Sequence, residues 1–377
     1  MDFIYYVLSF LLIINVIVFV HEYGHYLAAR LSGVSISKFS IGMGPELFGF
    51  NDKNGTRWCF SLLPIGGYVM MLGDGDASST TEDEKTLEGL SEEEKSKSIT
   101  RKSAWAKMFI AFMGPFFNYV YAFVVVAVMA FFYGMPNNSA VVGSVLSNSP
   151  AANAGIESGD KILSVDGKSV TRFRDVLMAI GNNKSGSIDF VIDRNGQEKK
   201  MVIKPEIKTE KTWFGSTKSR KLVGIASGVP TFEKRSLVDS VKLAVDECIS
   251  GTKEMFYVFG KLFSGQQSID NFGGVIRMGQ IAGELSKSGN FAMLILFTVT
   301  LSLNLGFINL FPLPVLDGGR ILICFVEKII GRKLNEKMQE QVMIVCALFL
   351  VFMMIVMTIN DIMHVEVINK FVMKFIR

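Results

Sequence analysis

Four runs of apolar residues, roughly 3–28, 108–133, 291–316 and 342–359, constrain this chain more than any other feature. As helices rising 1.5 Å per residue, each is long enough to cross the ~30 Å hydrocarbon core of a bilayer. Inside that core a backbone must satisfy its own polar groups, so the spanning parts have to be helical. The composition agrees: 49% of the 377 residues are hydrophobic, with 31 Phe and 20 Met. This exceeds what soluble domains usually carry. The formal net charge of +4 is small for the length, which excludes a nucleic-acid partner. The four cysteines, Cys59, Cys248, Cys324 and Cys346, form no CxxC pair and fit neither a disulfide framework nor a cysteine metal site.

Orientation follows from the basic residues beside the spans. Arg30, Arg101, Lys102 and Lys107 flank the connection between the first two runs. Arg320, Lys328, Arg332, Lys333 and Lys337 fill the connection between the last two. Both connections are expected on the cytoplasmic side, with the N-terminus and 134–290 outside, although Lys370, Lys374 and Arg377 run against the rule. The first run lacks a basic leader and a small-residue cleavage site and is expected to be retained.

Residues 36–72 are rich in aromatic, β-branched and glycine residues and read as hairpins lying against the membrane or dipping into it. The acidic stretch from 73 to 100 reads as a linker without structure. Residues 140–208 form a separate α+β unit, with strands at 141–146 and 161–165, a helix at 173–180 and a closing hairpin of 188–192 with 200–203. Residues 236–263 space their apolar side chains as an amphipathic helix. It either lies on the membrane surface or packs on the α+β unit, and both readings stay open. The resulting plan is 1–35 first span, 36–72 hairpins, 73–107 linker, 108–134 second span, 135–230 inserted unit, 231–290 amphipathic region, 291–320 third span, and 321–377 fourth span and tail.

The chemistry concentrates in His21-Glu22-Tyr23-Gly24-His25, an HExxH that continues the first apolar run. On a helix the two imidazoles share a face and can bind one zinc ion, while Glu22 is placed to act as a base. A carboxylate inside a spanning helix is costly, and that marks it as functional. A hydrolytic zinc site needs a third protein ligand and an open position. His364, the remaining histidine, follows the fourth run and is expected on the opposite side. Asp317, at the end of the third run in Leu316-Asp317-Gly318-Gly319, is the candidate, because the first and third runs cross in the same direction.

The stretch SPAANAGIESGDKILSVDGKSV resembles a bacterial PDZ domain. HEYGH on the first run, LDGG after the third, the PDZ-like insert and four spans together resemble the site-2 protease family, nearest to the bacterial RseP type. PIGGYVMMLGD, GPFFN at 114–118, FGGVIRMGQIAGE and NLGFINLFPLPVLDGG extend the resemblance over nearly the whole chain. It implies a polytopic α-helical membrane protein of about four spans, with a membrane-associated β-hairpin region and an inserted PDZ-like domain, in the bacterial inner membrane. It implies Zn2+ held by His21, His25 and Asp317, Glu22 as general base, and Asn304 and Asn309 as substrate-positioning residues. Read without it, Asn304 is a polar contact between helices, Asn309 breaks a helix before Pro312, and Asn118 is a packing contact. Arg320 stands where many relatives have His.

The implied activity is hydrolysis of peptide bonds within or next to spanning segments of single-span substrates, such as anti-sigma factors already cut outside or remnant signal peptides. Tyr68, Val69, Met70 and Met71, up to Leu72, are expected to pair with unwound substrate as an added strand; the alternative is a strand paired within its own hairpin. Two other readings remain: a membrane scaffold that keeps the site without activity, and an HExxH membrane peptidase acting on prenylated or soluble proteins.

Overall fold

The computed structural model describes residues 2–74, 87–136, 139–183, 185–211, 217–228, 232–264 and 273–364. In chain order these form α1 (Asp2–Leu31), β1 (Ile36–Asn51), β2 (Arg57–Met71), α2 (Glu92–Ser96) and α3 (Ala104–Phe132). Then come β3 (Met135–Pro136), β4 (Val142–Val145), α4 (Pro150–Asn153), β5 (Lys161–Val165), β6 (Lys168–Ser169) and α5 (Phe173–Asn182). They are followed by β7 (Ile188–Arg194), β8 (Gln197–Ile203), β9 (Glu206–Lys211), β10 (Thr217–Leu222), β11 (Ile225–Ser227) and β12 (Phe232–Glu233). The chain closes with α6 (Leu237–Phe263), α7 (Val275–Lys287), α8 (Phe291–Asn309), α9 (Asp317–Ile330) and α10 (Glu336–His364). It divides into two compact units, Met1–Ala127 with Val238–Arg377, and Val128–Leu237.

Among the described residues, four helices are long and apolar enough to cross a membrane: Tyr5–Leu31, Ala104–Phe132, Phe291–Asn309 and Lys337–Ile362. The third stops seven residues earlier than the run 291–316 suggests. Pro312 and Pro314 remove backbone donors beyond Asn309, so the chain turns and begins α9 at Asp317. Gly318 and Gly319 are required there, since an added Cβ would lie 2.2 Å from the Leu310 carbonyl oxygen and 2.1 Å from that of Leu313.

Instead of several short hairpins, 36–71 forms one hairpin of two long bent strands. Asp52 closes its turn by accepting from the N–H groups of Asn54 and Thr56. The bends let each strand serve twice. Residues 38–41 pair with 70–67 on one side and with 57–60 on the other, and 57–60 pairs again with 51–48. Among the described residues the lateral order is therefore 67–71, 36–41, 57–60, 48–51. Phe39, Val69 and Met71 bury against Tyr26, Ala28 and Ala29 of α1 and Ile110 of α3, which fixes the sheet to the helices.

The linker expectation fails for its second half. Ser91 and Glu94 cap α2 reciprocally, and Leu87 and Ile99 are buried. An S-x-x-E capping box supplies two otherwise missing backbone partners, which offsets the polar composition. The expectation for 75–86 lies outside the described residues.

The helical expectation for 236–263 is met by α6. On α6, Phe256 and Phe259 pack on Phe307 of α8, Phe259 also meets Phe311, and Thr252 donates to the Tyr119 hydroxyl of α3. α7 sets Gly283 and Gly279 against Tyr6 and Phe10 of α1, and Asp361 of α10 accepts from the N–H groups of Gly274 and Arg277.

The second unit is built on a four-stranded sheet of order β6-β5-β7-β8. Ile162, Val165, Ile188, Phe190 and Ile192 from this sheet bury with Val142 of β4 and Val176 and Ile180 of α5. β4 pairs with β11, and β9 with β10. Arg194 closes the unit with a two-pronged bond to buried Asp160, at 2.6 and 2.7 Å.

Candidate active site

α1 and α3 cross where neither carries a side chain in the way. A Cβ on Gly24 would lie 2.2 Å from the Met113 carbonyl oxygen, and one on Gly114 would lie 2.2 Å from His25 Nε2. The close approach brings His25 Nδ1 within 2.8 Å of the Ile110 carbonyl oxygen. Pro115, inside α3, contributes by lacking an N–H and loosening the turn before it. With Nδ1–H donated to Ile110, the lone pair of His25 sits on Nε2.

His21 is fixed in the same way by Asn118, whose amide lies 3.1 Å from His21 Nδ1. The Asn118 Oδ1 atom is buried without a partner when the NH2 group faces the ring. Turning the amide places the oxygen as acceptor for Nδ1–H and frees His21 Nε2 as a ligand, the usual support of a metal-bound histidine. Asn118 is held in turn, its carbonyl accepting from Ser302 of α8 at 3.0 Å.

The two freed nitrogens face each other at 3.2 Å. Asp317, first residue of α9, brings Oδ2 to 3.1 Å from His21 Nε2 and Oδ1 to 3.3 Å from His25 Nε2. Zinc–ligand bonds of 2.0–2.1 Å in tetrahedral arrangement separate neighbouring ligand atoms by about 3.3 Å. The three side chains therefore fit one zinc ion, with two nitrogens and a carboxylate oxygen, and leave a fourth position for water or substrate. Among the described residues, these three form the one group able to hold a metal.

A cavity opens on this cluster. His21, Glu22, His25, Asn309, Asp317 and Arg320 line it together with Gly67, Tyr68, Val69 and Met71 of β2. A Cβ on Gly67 would approach Glu22 Cγ at 3.1 Å and Val18 Cγ1 at 2.9 Å, so the strand rests on the helix face that carries the base. Asn309 Nδ2 lies 3.3 Å from His21 Nε2.

The structure thus brings together Glu22, His21, His25, Asp317, Asn309, Tyr68, Val69 and Met71. Met70 and Asn304 are not part of the lining. The Met70 carbonyl accepts from the Ser37 hydroxyl at 3.1 Å. Asn304 precedes Asn309 by more than a turn of α8. Sequence reasoning missed the Ile110 carbonyl and took Asn118 for packing. The Gly114-Pro115 pair, which interrupts an otherwise regular apolar helix, was the signal available for both.

A two-histidine, one-carboxylate cluster with a glutamate beside it, on a helix fit to span a membrane, defines the class as a metallopeptidase with membrane-spanning helices. Comparison with known proteins makes the assignment specific. The profile of peptidase family M50 matches residues 9–353. A protein of Agrobacterium fabrum with zinc metalloprotease in its name is 36% identical over 362 residues, covering 95% of each chain. The metalloprotease MmpA of Caulobacter vibrioides is 33% identical over 353 residues, covering 88% of each. A solved PDZ domain of Listeria monocytogenes aligns with 25% of this chain at 18% identity and a TM-score of 0.19, a likeness too slight to define the inserted unit. The chain belongs to peptidase family M50, the site-2 protease family, and is a zinc metalloprotease.

Proposed function

We propose that this protein hydrolyses peptide bonds within or next to the spanning segments of other membrane proteins. The observation that carries the reading is the depth of the site. His21, Glu22 and His25 lie within the apolar helix Tyr5–Leu31, and their cavity is bordered by residues 67–71 of β2.

Bound at His21, His25 and Asp317, zinc supplies a Lewis acid for the scissile carbonyl and brings the pKa of water towards neutrality. Glu22 accepts a proton from the attacking water and delivers it to the nitrogen of the leaving amine as the C–N bond breaks. Asn309, which lines the same cavity, would offer an amide N–H to the substrate carbonyl. A helical substrate hides its carbonyls in its own hydrogen bonds, so the segment has to be extended before attack. Gly67–Met71 supports this step as a template to which an unwound segment adds as a further strand. Val69 and Met71 are only 4% and 3% exposed, so their side chains are not offered for reading a substrate's sequence.

The substrates this suits are single-span proteins in the bacterial inner membrane: regulators such as anti-sigma factors already cut outside, or remnant signal peptides. By the charge asymmetry of the loops, the metal side faces the cytoplasm and the inserted unit faces out. The test is reconstitution of the full chain in liposomes with a single-span substrate and mass analysis of the fragments. Cleavage at a bond inside or at the edge of the span supports the reading. Cleavage confined to soluble polypeptide, or none from protein loaded with zinc, removes it.

A further inference from the structure

α9 is too short to cross the bilayer that its neighbours fit. Its 14 residues, Asp317–Ile330, rise about 21 Å, against the ~30 Å of the hydrocarbon core. It follows α8, which is long and apolar enough to span, and precedes the spanning part of α10, which begins at Lys337. A short helix between two consecutive spans belongs at one face of the membrane. Its own two sides differ. Gly318, Gly319 and Cys324 are buried, and Asp317 and Arg320 border the cavity at the metal position. Helical spacing gathers Leu322, Phe325 and Ile329 on a separate stripe, and these are 44%, 47% and 70% exposed. An exposed apolar stripe on a helix of this length suits the boundary between acyl chains and headgroups.

The end of α9 carries the charge to match. From Lys328 to Lys337 the sequence places Lys328, Arg332, Lys333 and Lys337 against one acidic residue, Glu336. Arg332 and Lys337 are exposed. Glu327, the carboxylate just before them, is engaged in the turn, accepting from the Leu334 N–H at 2.9 Å. Lys328 lies over the Trp105 ring, 3.9 Å from its centre. Trp105 stands in the first turn of α3, a helix fit to span, and is 62% exposed. A tryptophan at the end of a spanning helix sits at headgroup level. Its contact with Lys328 therefore puts the basic end of α9 at that level too, within reach of lipid phosphates.

We propose that α9 and the turn after it form a binding surface for anionic phospholipid. The stripe of Leu322, Phe325 and Ile329 lies among the acyl chains, and Lys328, Arg332 and Lys337 meet the phosphates. Clusters of basic residues next to a span attract anionic lipid in this way. Asp317 opens the same helix, so lipid that holds α9 in place also steadies the third zinc ligand. The inference rests on the spans crossing a bilayer and not on which peptide is cut. Its failure and that of the substrate reading are therefore distinguishable.

The experiment uses the full-length, zinc-loaded protein in vesicles of phosphatidylcholine alone or mixed with phosphatidylglycerol. The protein is extracted in mild detergent, and the lipid that stays bound is identified by mass. Wild type is expected to retain phosphatidylglycerol in preference to phosphatidylcholine. Arg332→Gln with Lys337→Gln is expected to lower that preference about 5-fold for each charge removed, with zinc content unchanged. Arg332→Lys with Lys337→Arg keeps both charges and is expected to keep the preference. Zinc loss to a chelator is expected to be slower from wild type in the mixed vesicles than in phosphatidylcholine, and equal in both for the Gln variant. No preference in wild type, or an undiminished one in the Gln variant, would overturn the proposal. So would displacement of the bound lipid by inorganic phosphate, which would make this a site for a free anion. Equal zinc loss from wild type in the two vesicles would remove the link to Asp317.

Discussion

Two glycines and an asparagine decide whether His21 and His25 can act as ligands, although none of the three touches the metal position. Gly24 and Gly114 allow α1 and α3 to approach until the His25 ring reaches the Ile110 carbonyl, and Asn118 orients the His21 ring. Gly114→Ala is expected to displace His25 and reduce zinc content severely, because its Cβ would meet Nε2 at 2.2 Å. Asn118→Ala is expected to weaken zinc affinity 10- to 100-fold, the usual cost of removing a hydrogen-bond partner of a metal-bound histidine. A chelator titration of the purified variants measures both. The ligands themselves were legible in the sequence because i, i+4 spacing on a helix has one geometric meaning. Asn118 and Ile110 were not, because a contact between α3 and α1 has no sequence period to announce it.

At the scale of elements, the hairpin is where sequence and structure part. Alternation and turn residues located the strands in 36–72, but one sequence period cannot show that 38–41 pairs on both sides. Among the described residues that double pairing leaves 67–71 at one side of the sheet, bordering the cavity with Glu22. It also sorts the positions for proline substitution. Val69→Pro removes a backbone donor from the strand that borders the cavity and is expected to abolish cleavage with zinc retained. Tyr68→Pro removes an N–H directed at β1 and is expected to destabilise the sheet itself, read as increased proteolysis within 36–71. The third span shows the converse. Its prolines foretold a break, yet hydropathy carried the helix on to Leu316, since apolar residues in a turn count the same as those in a helix. Asp317 therefore caps nothing; it opens a new helix whose N-terminal dipole favours a carboxylate.

For the whole molecule, the inserted unit was legible as an α+β body from its turns and strands, while β9 and β10 were not foreseen because Glu206–Lys211 and Thr217–Leu222 are too polar to read as strands. Its stability has a specific acid dependence. Burial alone would raise the Asp160 carboxyl, but the bonds from Arg194 and the Glu157 N–H outweigh it and hold the group below the ordinary carboxylate range. A carboxylate depressed in the folded state adds stability above its unfolded value of about 3.9, and loses it as pH falls through the lower folded value. Hydrogen exchange of the β5 and β7 amides should therefore accelerate below about pH 4, and Asp160→Ala should cost this unit about 3 kcal/mol at neutral pH. If the unit excludes substrates with bulky outer domains, deleting 140–208 is expected to permit their cleavage, whereas an equal slowing of every substrate would make it a support. All of this presupposes one zinc ion per chain, held by three residues and worked by a fourth. Zinc stoichiometry of the purified protein, taken beside cleavage of a single-span substrate, tests that most directly. The account predicts one zinc in wild type and in Glu22→Gln, cleavage only in wild type, and far less than one zinc in Asp317→Ala. Full zinc in Asp317→Ala, or turnover by Glu22→Gln near the wild-type rate, would contradict it.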